Sequence, residues 1–205
     1  MSKKLLNSLV VIAILAVVAI WVTGLYNTMV VHQENVETAW GQVENQYQRR
    51  FDLIPNLVQV VKEAGLREHD NLVDVIEARA KATQMNIDAS SLTEENLAAF
   101  QRAQGELSQA LGRLMVIREQ YPQLQTNENF QKLMTQLEGI ENRITAARYT
   151  FNEEAQKYNQ YIRKFPNNII ASMFGFERKP YFKSEEGAEK APKVDFGRGE
   201  TKVES

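Results

Sequence analysis

There is no cysteine among the 205 residues of this chain. That absence removes disulfides, thiolate metal sites, cysteine nucleophiles and acylation of a lipoprotein thiol, whatever the compartment. Histidine is scarce as well, with only two, His32 and His69, so metal chemistry has few ligands to draw on and neither a metal nor another cofactor is expected. A dominant charge is missing too. Basic residues number 24 and acidic ones 26, for a net charge of −2, and the cations form no stripe of the kind that neutralises a phosphate backbone. Nucleic acid is therefore not expected as a partner. No segment alternates apolar and polar residues with period two, which argues against strands. Carboxylate pairs such as Glu94-Glu95, Glu153-Glu154 and Glu185-Glu186 are adjacent, and neighbours on a helix point to different sides, so they read as solvated faces. Glu68-His69-Asp70 suits a helix start, where acids favour the dipole. Gly197-x-Gly199 precedes no helix and does not make a phosphate loop. No catalytic residue is assigned and no enzymatic activity is expected.

What the chain does have is a long apolar run. The eighteen residues from Leu5 to Val22 are interrupted only by Asn7 and Ser8, and at about 1.5 Å per residue they span about 27 Å, close to the thickness of a bilayer's hydrocarbon. Residues 5–26 are read as a transmembrane anchor behind a short flank, 1–4, with Trp21 and Tyr26 as interfacial aromatics. A cleaved signal peptide is the alternative, since Lys3 and Lys4 precede the run. Against it, the run is long and Ile20-Trp21-Val22-Thr23-Gly24 offers no small-x-small cleavage site. Lys3, Lys4 and the terminal amine lie before the helix, whereas no Lys or Arg follows until Arg49. The N-terminus is thus expected in the cytoplasm and the soluble part outside, with the opposite orientation as the alternative.

Beyond Gly24, Val36, Trp40, Val43, Tyr47, Ile54, Val58 and Val61 recur at spacings of three, four or seven, a helix with one buried stripe that Gly65 would end. A second helix is expected from about Glu68 to Asn86, burying Leu72, Val75, Ile76 and Ala80. Ser91 with Glu94 reads as a capping box opening a third, with Leu97, Phe100, Leu107, Leu111 and Leu114 inside, up to Tyr121-Pro122. The fourth, about Asn127 to Lys164, repeats Phe130, Leu133, Leu137, Ile140, Ile144, Ala147, Phe151, Tyr158 and Ile162 before Pro166. The fold class is all-α: a transmembrane helix, then an antiparallel four-helix bundle over 27–165 whose outer helices 1 and 4, about 60 and 57 Å long, exceed the inner two. The proximal ends of helices 1 and 4 would form a stalk. The tail, 183–205, has little to bury and is expected to be mobile.

If the helices run out and back twice, the segment 166–182 returns to the bilayer. There Ile169, Ile170, Met173, Phe174, Phe176, Tyr181 and Phe182 interleave with Arg178, Lys179 and Lys183, a mixture suited to lipid headgroups. The alternative is that it folds back to cap the open end of the bundle. Pro55 lies inside the first helix, where it deletes the hydrogen bond to the carbonyl of Phe51 and calls for compensation nearby. Arg50 falls on the stripe of Tyr47 and Ile54, with Glu77, Glu138 and Glu141 at a similar height, so a polar cluster joining Arg50 to one or more of them is expected. An ion pair fixing helix register is the favoured role, a binding or switching site the other.

Ala39-Trp40, the continuous stretch Gln46-Tyr47-Gln48-Arg49-Arg50-Phe51-Asp52-Leu53-Ile54-Pro55-Asn56-Leu57-Val58, and Val61-Lys62 resemble the signature of the LemA family. Glu77-Ala78-Arg79-Ala80, Glu119-Gln120-Tyr121-Pro122-Gln123-Leu124, Arg143-Ile144, Tyr158-Asn159, Phe165-Pro166 and Phe174-Gly175-Phe176 agree in order. The resemblance covers about Leu25 to Phe182. It implies a bacterial single-pass membrane protein with a helical soluble domain and carries over no catalytic residue; some relatives are proposed to have the short N-terminus outside. On this reading the protein sits in the bacterial cytoplasmic (inner) membrane. It serves as a non-enzymatic scaffold whose partners are the lipid bilayer and other envelope proteins or further copies in a homo-oligomer. The alternative is a self-associating, membrane-shaping protein that uses 166–182 at the lipid surface.

Overall fold

The three- and four-residue apolar spacing is realised as helix wherever it occurs. A computed structural model describes residues 3–64, 69–85, 87–118 and 121–183, and among these there is helix but no strand. The expected boundaries at Gly65, Glu68 and Asn86, and the tail from 184 to 205, lie outside the described residues.

Helix α1 runs without a break over Lys3–Glu63, so the apolar run and the first amphipathic helix are one rod. Its N-terminal part carries a stretch long and apolar enough to cross a membrane, and Leu9 to Ile20 project their apolar side chains outward. The hydroxyls of Ser8, Thr23 and Thr28 each donate to the carbonyl four residues earlier, at 3.1, 2.9 and 2.9 Å. These polar groups are thereby satisfied inside the helix, as a hydrocarbon environment requires. No joint marks the expected boundary at 26/27: Val22 and Leu25 are already partly covered and Met29 is fully buried.

Helix α2 spans His69–Gln84 and α3 Glu94–Arg118; α4 is a single turn, Pro122–Gln125, and α5 spans Glu128–Arg163. Neighbours run in opposite directions. On α2 and α3, Asp74 meets Arg113 and Lys81 meets Glu106. On α1 and α5, Arg50 meets Glu141 and Trp40 meets Phe151. The shared core between these two close pairs is aromatic: Trp40 lies 5.4 Å from Phe100 and 5.6 Å from Phe151, ring centre to ring centre. The Trp40 indole N–H donates to the carbonyl of Ile87 at 3.2 Å.

Local chemistry departs from the sequence reading in three places. The box that opens α3 is Thr93 with Asn96, not Ser91 with Glu94. Asn96 N–H donates to the Thr93 hydroxyl at 3.2 Å and Thr93 N–H to the Asn96 side chain at 2.8 Å. Ser91 is unavailable because it belongs to a 3₁₀ turn, Ala89–Ser91, capped by Asp88, and its hydroxyl donates to the Asp88 carbonyl. On α2 the buried face is Leu72, Val75, Ala78 and Ala82, whereas Ile76 is exposed and so is Ala80. The helix is rolled so that Arg79 faces α1. Finally, the connection after α3 contains α4, which buries Leu124.

Pro55 leaves the Phe51 carbonyl without its helical donor, and Arg79 of α2 supplies one, its Nε donating at 3.0 Å. The break in one helix is thus closed by a side chain from the next.

Candidate functional site

Two places concentrate chemistry: the end of the molecule beside the apolar run, and a polar cluster midway along the core.

At the first, α5 brings Tyr161 against His32, ring centres 5.0 Å apart. Beyond Pro166 the chain starts a new helix, α6, Asn167–Phe174, which lies across both α1 and α5. Its Ile170 and Ala171 are buried. The Tyr26 ring meets Phe174 at 5.0 Å and Phe176 at 5.5 Å, both edge-on, so a residue read as a headgroup aromatic also anchors α6. Since Tyr26 is four residues past Val22, the Phe174 end of α6 meets α1 about 6 Å beyond the apolar run. Ile169 and Met173, spaced by four on α6, are exposed, with Met173 72% exposed and the adjacent Phe174 53%, and Phe165, just before α6 begins, is exposed as well. Trp21 is exposed on the same end of the rod, and Arg163, Lys164 and Arg178 are exposed around it. Ile169 and Met173 were among the residues of this segment read from the sequence as suited to lipid headgroups, whereas Phe165, just ahead of them, was not.

Gly175 ends α6 at φ 75°, a left-handed conformation that favours glycine. Phe176 N–H closes the cap on Ala171 O at 2.9 Å. From there the chain is an extended strap, residues 176–183, held by two asparagines of α5 that act as surrogate strand partners. Asn159 accepts from Lys179 N–H at 2.9 Å and donates to its carbonyl at 2.8 Å. Asn152 does the same for Phe182, at 2.8 and 3.0 Å. Phe182 is buried, its ring 5.9 Å from Trp40 and 5.3 Å from Phe151, with the Arg148 guanidinium 4.9 Å over it. The buried Lys179 donates to the carbonyls of Ala89 and Ser90 at 3.1 Å each. Burial pushes its ammonium below the usual lysine range, opposed by Glu37, Asp88 and Glu177. Lys179 and Phe182 are therefore not lipid-facing, contrary to the expectation for 166–182. Tyr181 rests on the Asn159 amide at 3.0 Å, and Phe176 is partly covered by the core. The segment divides in two: α6 shows an apolar face outward, and the strap closes over the core. The two asparagines on an otherwise apolar stripe were the available signal.

At the second place, Arg50 is buried between α1, α3 and α5. Its guanidinium donates to Glu141 at 2.6 Å and to the Ser108 hydroxyl at 2.9 Å, and to the Gln104 side-chain oxygen. It also lies 5.1 Å from the centre of the Tyr47 ring. Of the expected partners, the structure brings Glu141 to Arg50. Glu77 lies instead in a groove between α2 and α3 with Asp74, Lys81 and Arg113, and Glu138 is exposed on α5. Equal height did not mean equal face: at about 100° per residue, Glu138 is turned about 60° from Glu141. Gln104 and Ser108 went unpredicted, being ordinary polar residues in α3 until α1 is packed against it. Among the described residues, no three His, Asp or Glu side chains cluster as a metal site would require.

Residues 39–196 match the LemA family. Magnetosome proteins MamQ 1 and MamQ 2 of Paramagnetospirillum magneticum are each 32% identical over 195 residues, covering 86% of this chain and 72% of their own length. Magnetosome protein MamQ of Magnetospirillum gryphiswaldense is 30% identical over 201 residues, covering 89% of this chain and 74% of its own.

Proposed function

This chain belongs to the LemA family, and from that premise we propose that it is a single-pass, membrane-anchored, non-enzymatic interaction protein of the bacterial cytoplasmic membrane. In this reading α1, α2, α3 and α5 act as one antiparallel bundle standing above the lipid, with the N-terminus in the cytoplasm and the bundle outside. Its partners are the bilayer and proteins, either further copies of itself or other components of the envelope. The observation that carries the reading is the junction of the apolar run with α6: Ile169 and Met173 of α6 and Phe165 just before it are exposed, while Phe174 of the same helix packs against Tyr26. Such exposed apolar residues suit the headgroup boundary, with Arg163, Lys164 and Arg178 as their cationic fringe. The similarity to proteins named for the magnetosome supports a role at a membrane.

Photocrosslinking in intact cells tests it. A photoreactive residue at Met173 labels lipid, and one at Tyr149, exposed on the bundle, captures protein. Absence of lipid label at 173 removes α6 from the membrane, and absence of any protein adduct from several exposed bundle positions removes the interaction role. A C-terminal reporter active only outside the cytoplasm reads the orientation; activity of a cytosol-only reporter reverses it.

The second reading is a self-associating, membrane-shaping protein, favoured by the same exposed apolar residues of α6, because shallow insertion of apolar side chains in one leaflet bends it. Full-length protein reconstituted into vesicles and viewed by electron microscopy separates the two: vesicles that keep their shape leave only the scaffold.

A further inference from the structure

Arg50 and Gln104 are 1% and 3% exposed, yet each keeps a donor with no hydrogen-bond partner, Nε of Arg50 and Nε2 of Gln104. Buried donors are nearly always satisfied, and these two belong to side chains that are hydrogen-bonded to each other through other atoms, so one acceptor near both would serve them. Both side chains line a cavity of about 120 Å³, together with Ser108, Glu141, Thr145 and Arg148. Its walls carry two guanidinium cations and one carboxylate, an excess of one positive charge. A water needs only about 10–15 Å³ of such space, so a group the size of acetate has room there.

The geometry points to a binding pocket for a carboxylate. Water would satisfy the two N–H groups and leave the charge unbalanced. A carboxylate does both, and its charge-assisted bonds are about twice as strong as neutral ones. The inference is independent of the membrane reading above, since it rests on the α1–α3–α5 core alone. At the pocket's rim, Gln101 and Arg148 both donate to the carbonyl of Lys183, at 3.0 Å, and the next acidic residues in the sequence are Glu185 and Glu186. The carboxylate therefore comes either from this chain or from a separate molecule.

Thermal unfolding of the full-length protein in detergent, titrated with sodium acetate against sodium chloride at matched ionic strength, tests the pocket. If the ligand is separate, acetate raises the midpoint of the native chain. If the chain fills its own pocket, acetate acts only on the Glu185→Gln/Glu186→Gln variant, which also starts from a lower midpoint. In either case Gln104→Glu weakens the response at least about tenfold. That change is isosteric and keeps an oxygen for Arg50 to donate to, but it replaces the orphan donor with a negative charge. Should it lower the starting midpoint, carbon-13 acetate line broadening on the folded protein at low temperature gives the same comparison. No acetate effect beyond chloride in either chain, or an effect that Gln104→Glu leaves unchanged, overturns the proposal.

Discussion

Arg50 is a cation with almost no contact with solvent, and its environment decides what it contributes. Its ion-pair partner Glu141 is 46% exposed, so water screens that half of the interaction and the pair by itself contributes little. The buried partners matter more. Replacing Arg50 by Met leaves the Gln104 oxygen and the Ser108 hydroxyl without their donor, and we expect a loss of about 2–4 kcal/mol in urea unfolding. Glu141→Gln, which keeps an acceptor at the partly wet end, should cost less than about 1 kcal/mol. Tyr158 makes a second, pH-dependent contribution. Burial, then Glu177 and Glu37, push its phenol up to about 12 from 10.0. The folded state thus keeps a proton that the unfolded chain releases above pH 10, so stability should fall as pH rises from 10 to about 12, on the order of 2 kcal/mol in all. The effect of Lys179 has the opposite sign. Its folded pKa is depressed, so stability rises with pH up to the unfolded value, and comparing Tyr158→Phe with the native chain isolates the tyrosine. Unfolding midpoints of the two chains that fall in parallel from pH 10 to 12 would contradict this assignment.

The helices follow directly from the apolar spacing, and their faces in α1, α3 and α5 could be read off the chain because each stripe is long and uninterrupted. The short segments could not. Ser91 and Thr93 are equally good caps in isolation, and only Asp88, by drawing Ser91 into a 3₁₀ turn, decides between them. The segment 166–182 is ambiguous for a similar reason: aromatics and cations suit a lipid headgroup zone and a cation-lined core equally. What separates α6 from the strap is a pair of asparagines on α5, far away in sequence. The proline of α1 illustrates the converse case, in which the sequence names a defect and the fold names its remedy. A double-mutant cycle checks the pairing of Pro55 with Arg79. Arg79→Ala should cost about 1–2 kcal/mol in the native chain, by orphaning the Phe51 carbonyl, but less than about 0.5 kcal/mol in Pro55→Ala, where a helical N–H returns. Equal costs in both backgrounds would mean that the guanidinium contributes through something other than that carbonyl.

With Tyr26, Phe174 and Phe176 in contact, the last helices finish beside the point where the apolar run ends, so the chain leaves and revisits one level of the molecule. The two tryptophans report on this arrangement independently, since Trp21 is exposed near the end of the apolar run and Trp40 is fully buried in the core. Brominated lipids should quench Trp21 strongly in reconstituted full-length protein, by more than about half, and leave Trp40 emission nearly untouched. Equal quenching would mean that the core opens to lipid or that the run does not reach it. This geometry was legible in outline, because helix lengths and order alone return the chain to its starting level. What the sequence withheld was azimuth, the direction each side chain takes around its helix once packed, and the Arg50 partners and the strap both depend on it.

One rod joins the membrane to the far tip, and that has a mechanical consequence. The part of α1 beyond Val22 is about 60 Å long, and no hinge separates it from the stretch that sits among lipids. A ten-degree change in tilt, of the size that bilayer thickness or lateral pressure imposes on a spanning helix, would sweep the distal turns sideways by about 10 Å. The molecule is built as a lever whose short arm lies in fat and whose long arm writes the displacement large in water.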